Sequence, residues 1–547
     1  MPLPLAIETA VEAPLTHHRS ERARIFSDLV DAINRNPGRV VLAISLVYFA
    51  MAGLLAGLKL LWFDEFITFY VAKLNGVSAI WHALSHGVDP NPPLLHILVM
   101  ASMRLFGDGP LAVRLPAILG EWIGLFSLYV FLRRRVPTIF AAAGMCFFMA
   151  TDAFEYSYEG RPYALTLGFA MLSLVAWRSA VEGRYRVLAC FALAITLAAG
   201  LSSNYFAVLA FFPIAAGELV RNLELRKFEL RVWLALAAGA LPIVFYLPLI
   251  NHAIAQFSPY AWNKPHLGFL FDGYGSTVEV ILWPALLLLA VGAASSIRNH
   301  RSPGPALGLV LPRHEVVAVA IQMAYPLIGL AIAVARAGMI SPRCVLPVCY
   351  GFAISVAVVG YRLFARHSLR ALLLLGLCLT WAVARDAVCA YWLVNQRAAF
   401  YHVRDALPSA RSIVVSDSLL VLPLEYYSPR QIASEIAFPL DFNAVRRYKK
   451  EDSPEENLWA GRAIFPVPIL PLKEFENATP RYLIVASSNN WLLKKLAAEG
   501  RPAQKLPIQT NSKGITGFTP LCHGEAFLFD MPDAYLSDSG RHEKPRN

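Results

Sequence analysis

Apolar residues run in long unbroken blocks up to about residue 394 of this chain, and only in short blocks after it. A helix that crosses a membrane needs about 20 apolar residues. Blocks of that order cover residues 40–61, 112–132, 138–155, 161–181, 186–202, 204–220, 231–250, 277–297, 315–335, 344–362 and 369–391, which predicts about eleven spans. Residues 94–106 are apolar too, but the block is short, and an interfacial helix suits it better than a span. Beyond residue 394 charges become frequent. Residues 412–417 and 482–487 read as buried strands, 491–499 as a helix that Gly500 ends, and 525–531 as a last strand. The expected fold is a polytopic α-helical membrane protein with interfacial helices in its first long outer loop and a small C-terminal α/β domain. Its parts are a leader (1–38), a membrane domain (39–393) and an extracytoplasmic domain (394–547).

Charge adds the orientation. Only 16% of the 547 residues are charged, and mean hydropathy is +0.49; soluble domains carry about 25% charged residues. The formal net charge of +11 would suggest nucleic acid for a soluble protein, but no basic and aromatic stripe accompanies it, so no nucleic-acid partner is expected. If residues 94–106 dip rather than cross, the large basic clusters fall on one face: Arg133–Arg135, Arg178 to Arg186, Arg221 to Arg231, Arg298 to Arg313 and Arg362 to Arg370. The positive-inside rule then puts the N-terminus in the cytoplasm, with residues 62–111 and the C-terminal domain outside. The leader lacks a signal-peptide pattern and reads as a cytoplasmic lead-in to a signal anchor. The seven cysteines show no CxxC and no zinc-like spacing, so no metal or disulfide framework is expected.

Candidate chemistry gathers on that outer face. The first span ends in Trp62-Phe63-Asp64-Glu65, two carboxylates at a membrane boundary. Such a pair is costly unless it meets water, a partner or a substrate. Asp64 reads as a base for an acceptor hydroxyl, or as the cap of the helix that follows. Adjacent helical residues point about 100° apart, so Glu65 is expected to have a different task. Asp89-Pro90-Asn91-Pro92-Pro93 reads as a rigid lead into a helix. Arg114, Arg161 in Glu159-Gly160-Arg161-Pro162-Tyr163, and Arg343 sit at outer span ends. Arginine binds phosphate bidentately, and snorkelling to headgroups is the bland alternative. A later outer loop brings Trp262, Lys264 and His266.

The ordered set Trp62-x-Asp64-Glu65, Asn91-Pro92-Pro93-Leu94, Leu105-Phe106-Gly107, Arg114-Leu115-Pro116, Glu159-x-Arg161-x-Tyr163 and Pro342-Arg343 resembles the protein O-mannosyltransferase and lipid A aminoarabinose transferase group of C-superfold glycosyltransferases. The resemblance covers roughly residues 40–390. It implies inverting transfer from a polyprenyl-phosphate sugar to a hydroxyl of a glycan, lipid or protein, at the outer face of a bacterial inner membrane and without a cofactor. It implies Asp64 and Glu65 as catalytic, and Asn91, Arg114, Glu159, Arg161, Tyr163, Lys264 and Arg343 as substrate-binding. The sequence departs from the group at Asn91, where many relatives have lysine or histidine, and at Cys344, where a tyrosine often follows the arginine. The competing reading is a lipid or solute transporter; charges placed at span ends rather than mid-span favour surface chemistry.

Overall fold

The computed structural model describes residues 13–298, 310–407, 412–487, 490–501, 503–505 and 533–538. The strand expected at 525–531, with Arg301 and Cys522, lies outside them.

Among the described residues seven helices are long and apolar enough to cross a membrane, from Pro37–Leu58 to Ser368–Asp405. Two further predicted spans are broken. Thr138–Met149 bends by 71° into the 3-10 turn Asp152–Tyr158, and Arg313–Met323 bends by 57° into Tyr325–Arg336. Counting each bent pair as one span gives nine. At the second break Pro326 stands in the first turn of the new helix, where its missing N–H costs nothing. The segment predicted at 277–297 lies within one long helix, Phe269–Arg298, and that at 344–362 holds the shorter helix Val348–Phe364. Unbroken apolar sequence therefore hid two bends, at residues 150–151 and 324.

The first long loop holds three helices: Phe63–Ala72, Val77–Ser85 and Leu94–Phe106. The last starts after Pro93 and stops at Gly107, which has φ +85°. Its 13 residues reach about 20 Å, short of the ~30 Å hydrocarbon core. Leu105 and Phe106 stay 76% and 67% exposed at its end. The opposite side of this layer is not bare. Phe66, Phe69, Ile80, Leu95 and Val99 belong to the same continuous core as Leu422, Leu424 and Phe465 of the C-terminal domain, while the membrane bundle has a core of its own. Rings tie the seam: Phe66 lies 5.1 Å from Tyr426, and Tyr70 lies 5.8 Å from Phe465. The hydroxyl of Tyr427 accepts from the Leu61 amide at 2.8 Å.

The helix Ser368–Asp405 passes straight through residue 394, so the change in composition marks the middle of a helix. The C-terminal domain follows, its described residues forming a six-stranded sheet. Its strands are β1 (Ile413–Val415), β2 (Ile436–Leu440), β3 (Ile469–Pro471), β4 (Arg481–Ala486), β5 (Gln504–Lys505) and β6 (Asp533–Asp538). The order is β3-β2-β1-β4-β6-β5. β1 pairs in parallel with β2 and β4, and β6 runs antiparallel to both of its neighbours. All of β1 is buried, as expected for an apolar strand covered on both faces.

Candidate active site

The two adjacent carboxylates start the same helix and part company at once. Glu65 is fully buried. Arg114 grips it with Nε–Oε1 at 2.7 Å and Nη2–Oε2 at 2.6 Å. Gly160 donates its amide to Oε1 at 2.6 Å, and Trp62 donates its own to Oε2 at 3.3 Å. Burial alone would raise the Glu65 carboxyl; Arg114 outweighs burial and holds it below the usual range. Arg114 also donates to the carbonyls of Ala56, Lys59 and Leu60 at 2.6, 2.7 and 3.0 Å. With the two bonds to Glu65, these occupy its five N–H donors. A side chain on residue 160 would meet Val113 Cγ1 at 2.6 Å, so glycine is required where the backbone approaches Glu65. This knot pins the first span, the first loop helix and the Glu-Gly-Arg turn together.

Asp64 points the other way, into a cavity of about 840 Å³ between the membrane bundle and the C-terminal domain. Its side chain is 19% exposed. Its Oδ2 lies 3.7 Å from Arg161 Nη2 and 3.7 Å from Arg343 Nη1. Arg161 is fixed from behind by Asp89 Oδ2 at 2.9 Å, Thr68 Oγ1 at 3.2 Å and the Asp64 carbonyl at 3.0 Å. Asp89 Oδ1 in turn accepts from Asn91 through the amide, at 2.9 Å, and Nδ2, at 2.6 Å. His96 Nε2 lies 3.3 Å from Asp89 Oδ2. Burial would raise the Asp89 carboxyl, but Arg161 first and His96 second hold it well below the carboxylate range. Arg343 takes its orientation from Ser341 Oγ at 3.2 Å and from two rings, Tyr163 at 5.4 Å and Trp262 at 5.7 Å.

Of the residues expected from sequence, Asp64, Asn91, Arg161, Tyr163 and Arg343 line this one cavity. Four do not. Glu65 and Arg114 are sealed behind it, Glu159 is buried against Lys59, and Lys264 is exposed and does not line it, although Trp262 and Asn263 do. The structure adds Asp89, which positions Arg161, and Asn204, whose Nδ2 donates to Asn91 Oδ1 at 3.2 Å. Asp89 had a signal, a lone acid two residues before Asn91. Asn204, at the end of an apolar block, had none.

At the membrane-bundle end of the cavity a part-exposed carboxylate, Asp64, stands beside two arginines. Glu182, His314 and Glu315 lie close enough together to hold a metal. Arg135 and Arg178 already bind Glu315, and the group sits at the far end of the helix Tyr163–Glu182, about 30 Å from the cavity.

The same architecture is known. The chain superposes on the crystal structure of ArnT from Cupriavidus metallidurans bound to undecaprenyl phosphate with a TM-score of 0.54, over 93% of this chain and 99% of that one, at 14% identity. The apo state of ArnT gives a TM-score of 0.53 over 91% and 97%, at 11% identity. The chain thus shares the fold of ArnT. Residues 90–251, which hold Asn91, Arg161 and Tyr163, match the family model described as dolichyl-phosphate-mannose-protein mannosyltransferase. No curated relative matches the sequence.

Proposed function

We propose that this chain is an inverting membrane glycosyltransferase that moves a sugar from a polyprenyl-phosphate donor to an acceptor hydroxyl. The observation that carries this reading is Asp64, the one carboxylate at the cavity set 3.7 Å from both Arg161 and Arg343. A hydroxyl attacking an anomeric carbon must lose its proton, and an open carboxylate takes it. The leaving group is a phosphate diester becoming a dianionic monoester. Two guanidinium groups beside the base neutralise the charge that develops. One essential carboxylate suits a single displacement, which inverts the anomeric centre; a second, nucleophilic carboxylate does not line up beside it, because Glu65 is locked to Arg114. The undecaprenyl phosphate bound by ArnT supports a polyprenyl carrier here. The one-sided basic clusters support an outer-face site in the inner membrane, with the N-terminus inside and the C-terminal domain outside.

Asp64→Asn tests this. The purified variant, assayed with a panel of undecaprenyl-phosphate sugars, should lose roughly 10²–10⁴-fold in transfer while it folds and inserts normally. Undiminished turnover would remove Asp64 as the base.

A further inference from the structure

The cavity has a roof as well as a floor. The membrane half supplies Asp64 and the two arginines, and the C-terminal domain supplies residues 416–419 after β1, Asn490, Trp491 and Lys494 after β4, and, beside them, Lys449, Glu451 and Glu455 after β2. Those strands are neighbours, but the chain leaves them in opposite directions: β1 connects outward to β2 on one flank, and β3 crosses back to β4 on the other. In open parallel sheets the crevice outside the carboxyl ends of strands at such a divergence is where ligands bind. Here that crevice faces the base.

Its walls are built. Asn490 Nδ2 and Trp491 Nε1, after β4, both donate to the Ser416 carbonyl after β1, at 3.1 and 3.2 Å. The Asp417 carboxylate accepts from the Leu419 amide at 3.1 Å. The Ser416 hydroxyl lines the cavity, is buried and has no hydrogen-bond partner among the described residues. A buried hydroxyl left so is costly unless something polar reaches it. The surrounding charge selects the ligand. On this wall three acids, Asp417, Glu451 and Glu455, line the cavity together with two lysines, Lys449 and Lys494, and Lys449 is held by Glu455 at 3.1 Å and Glu451 at 3.6 Å. That balance is acidic, which disfavours a phosphorylated group and suits neutral hydroxyls.

We infer that the crevice between β1 and β4 is the acceptor subsite and that it takes the hydroxyls of a neutral glycan. The inference rests on the glycosyl-transfer reading above and names its acceptor. In the transfer, an acceptor oxygen held under this roof bonds to the donor's anomeric carbon. The bond from that carbon to the phosphate oxygen breaks with its electron pair going to the phosphate, and the acceptor proton passes to Asp64. A cavity of about 840 Å³ lies toward the upper end of the ~300–1,000 Å³ range of ligand pockets, so two sugar rings can lie side by side.

Calorimetry on the full-length protein in nanodiscs, with mannotriose, chitotriose and maltotriose as probes and mannose 6-phosphate as the anionic control, tests this without turnover. At least one neutral trisaccharide should bind better than the sugar phosphate. Asp417→Asn, which keeps an acceptor for the Leu419 amide, should weaken that binding roughly 10–100-fold and leave undecaprenyl phosphate binding unchanged. Lys494→Met, on a partly exposed helix face, serves as a second probe of the same wall should Asp417→Asn misfold, and should weaken the trisaccharide by a smaller factor. No trisaccharide binding, tighter binding of mannose 6-phosphate, or sugar transferred to peptide hydroxyls instead would overturn the assignment. The trisaccharide linked to a lipid separates a membrane-held glycan, which binds more tightly than the free one, from a soluble glycan, which binds equally; either keeps the subsite. Asp64→Asn should bind the trisaccharide like the wild type, so failure of the base and failure of the roof give different results.

Discussion

On one side of the helix Phe63–Ala72, Glu65 is enclosed by Arg114, Gly160 and the Trp62 amide. On the other, Asp64 stands in a cavity at ion-pair but not hydrogen-bond distance from two arginines. The two residues share a charge, a backbone segment and a membrane depth. They differ by one methylene and in what surrounds them, and the surroundings decide what each can reach. A carboxylate whose oxygens are already filled by Arg114 and a backbone amide cannot take a proton from a substrate. It can hold a helix at a fixed angle, and with it the side chain of its neighbour.

Exchanging the two acids chemically should separate these roles. Asp64→Asn should abolish most transfer, roughly 10²–10⁴-fold, with no shift in the melting temperature of the solubilised protein. Glu65→Gln should do the reverse in kind. It leaves Arg114 buried without its counter-charge, and breaking such a pair costs about 3–5 kcal/mol, seen as a lowered melting temperature and poor recovery from the membrane. If Glu65→Gln melts like the wild type yet loses transfer, the division of labour is wrong. A smaller effect is expected at Arg343. Arg343→Lys keeps the charge but loses the planar fork, and should raise KM for the donor roughly tenfold in a transfer assay while the fold stays intact. The smallest is a pH effect. Asp89 and Glu65 both have depressed carboxyls. Their contribution to stability is complete above their unfolded values of about 4 and is lost as pH falls through the lower folded ones. Melting temperature should therefore decline below about pH 5, and Asp89→Asn, less stable at neutral pH, should decline less steeply.

Much of this was legible in the chain. Trp62 to Glu65, Arg161 and Arg343 stood out because charge beside a long apolar block is costly unless it is used. The strands at 413–415 and 481–486 were visible as short β-branched runs. Two things were not. Nothing in the residue types at positions 64 and 65 says which faces the cavity, since that follows from Arg114 arriving almost fifty residues later. Arg114 itself looked like a phosphate ligand, because sequence shows a guanidinium but not the carbonyls of Ala56, Lys59 and Leu60 that use its donors. Breaks inside apolar blocks, as at residues 150–151 and 324, leave composition unchanged and so escape a hydropathy reading.

The core shared by the first loop and the C-terminal domain sets an order of assembly. Phe66, Phe69 and Val99 are synthesised before most of the membrane helices, whereas Leu422, Leu424 and Phe465, which share their core, come only after the helix Ser368–Asp405. During the interval that greasy layer must be shielded by lipid or by a chaperone. A nascent protein stalled after its last membrane helix would consequently carry a sticky, unfinished cap, and quality-control proteases would find it there.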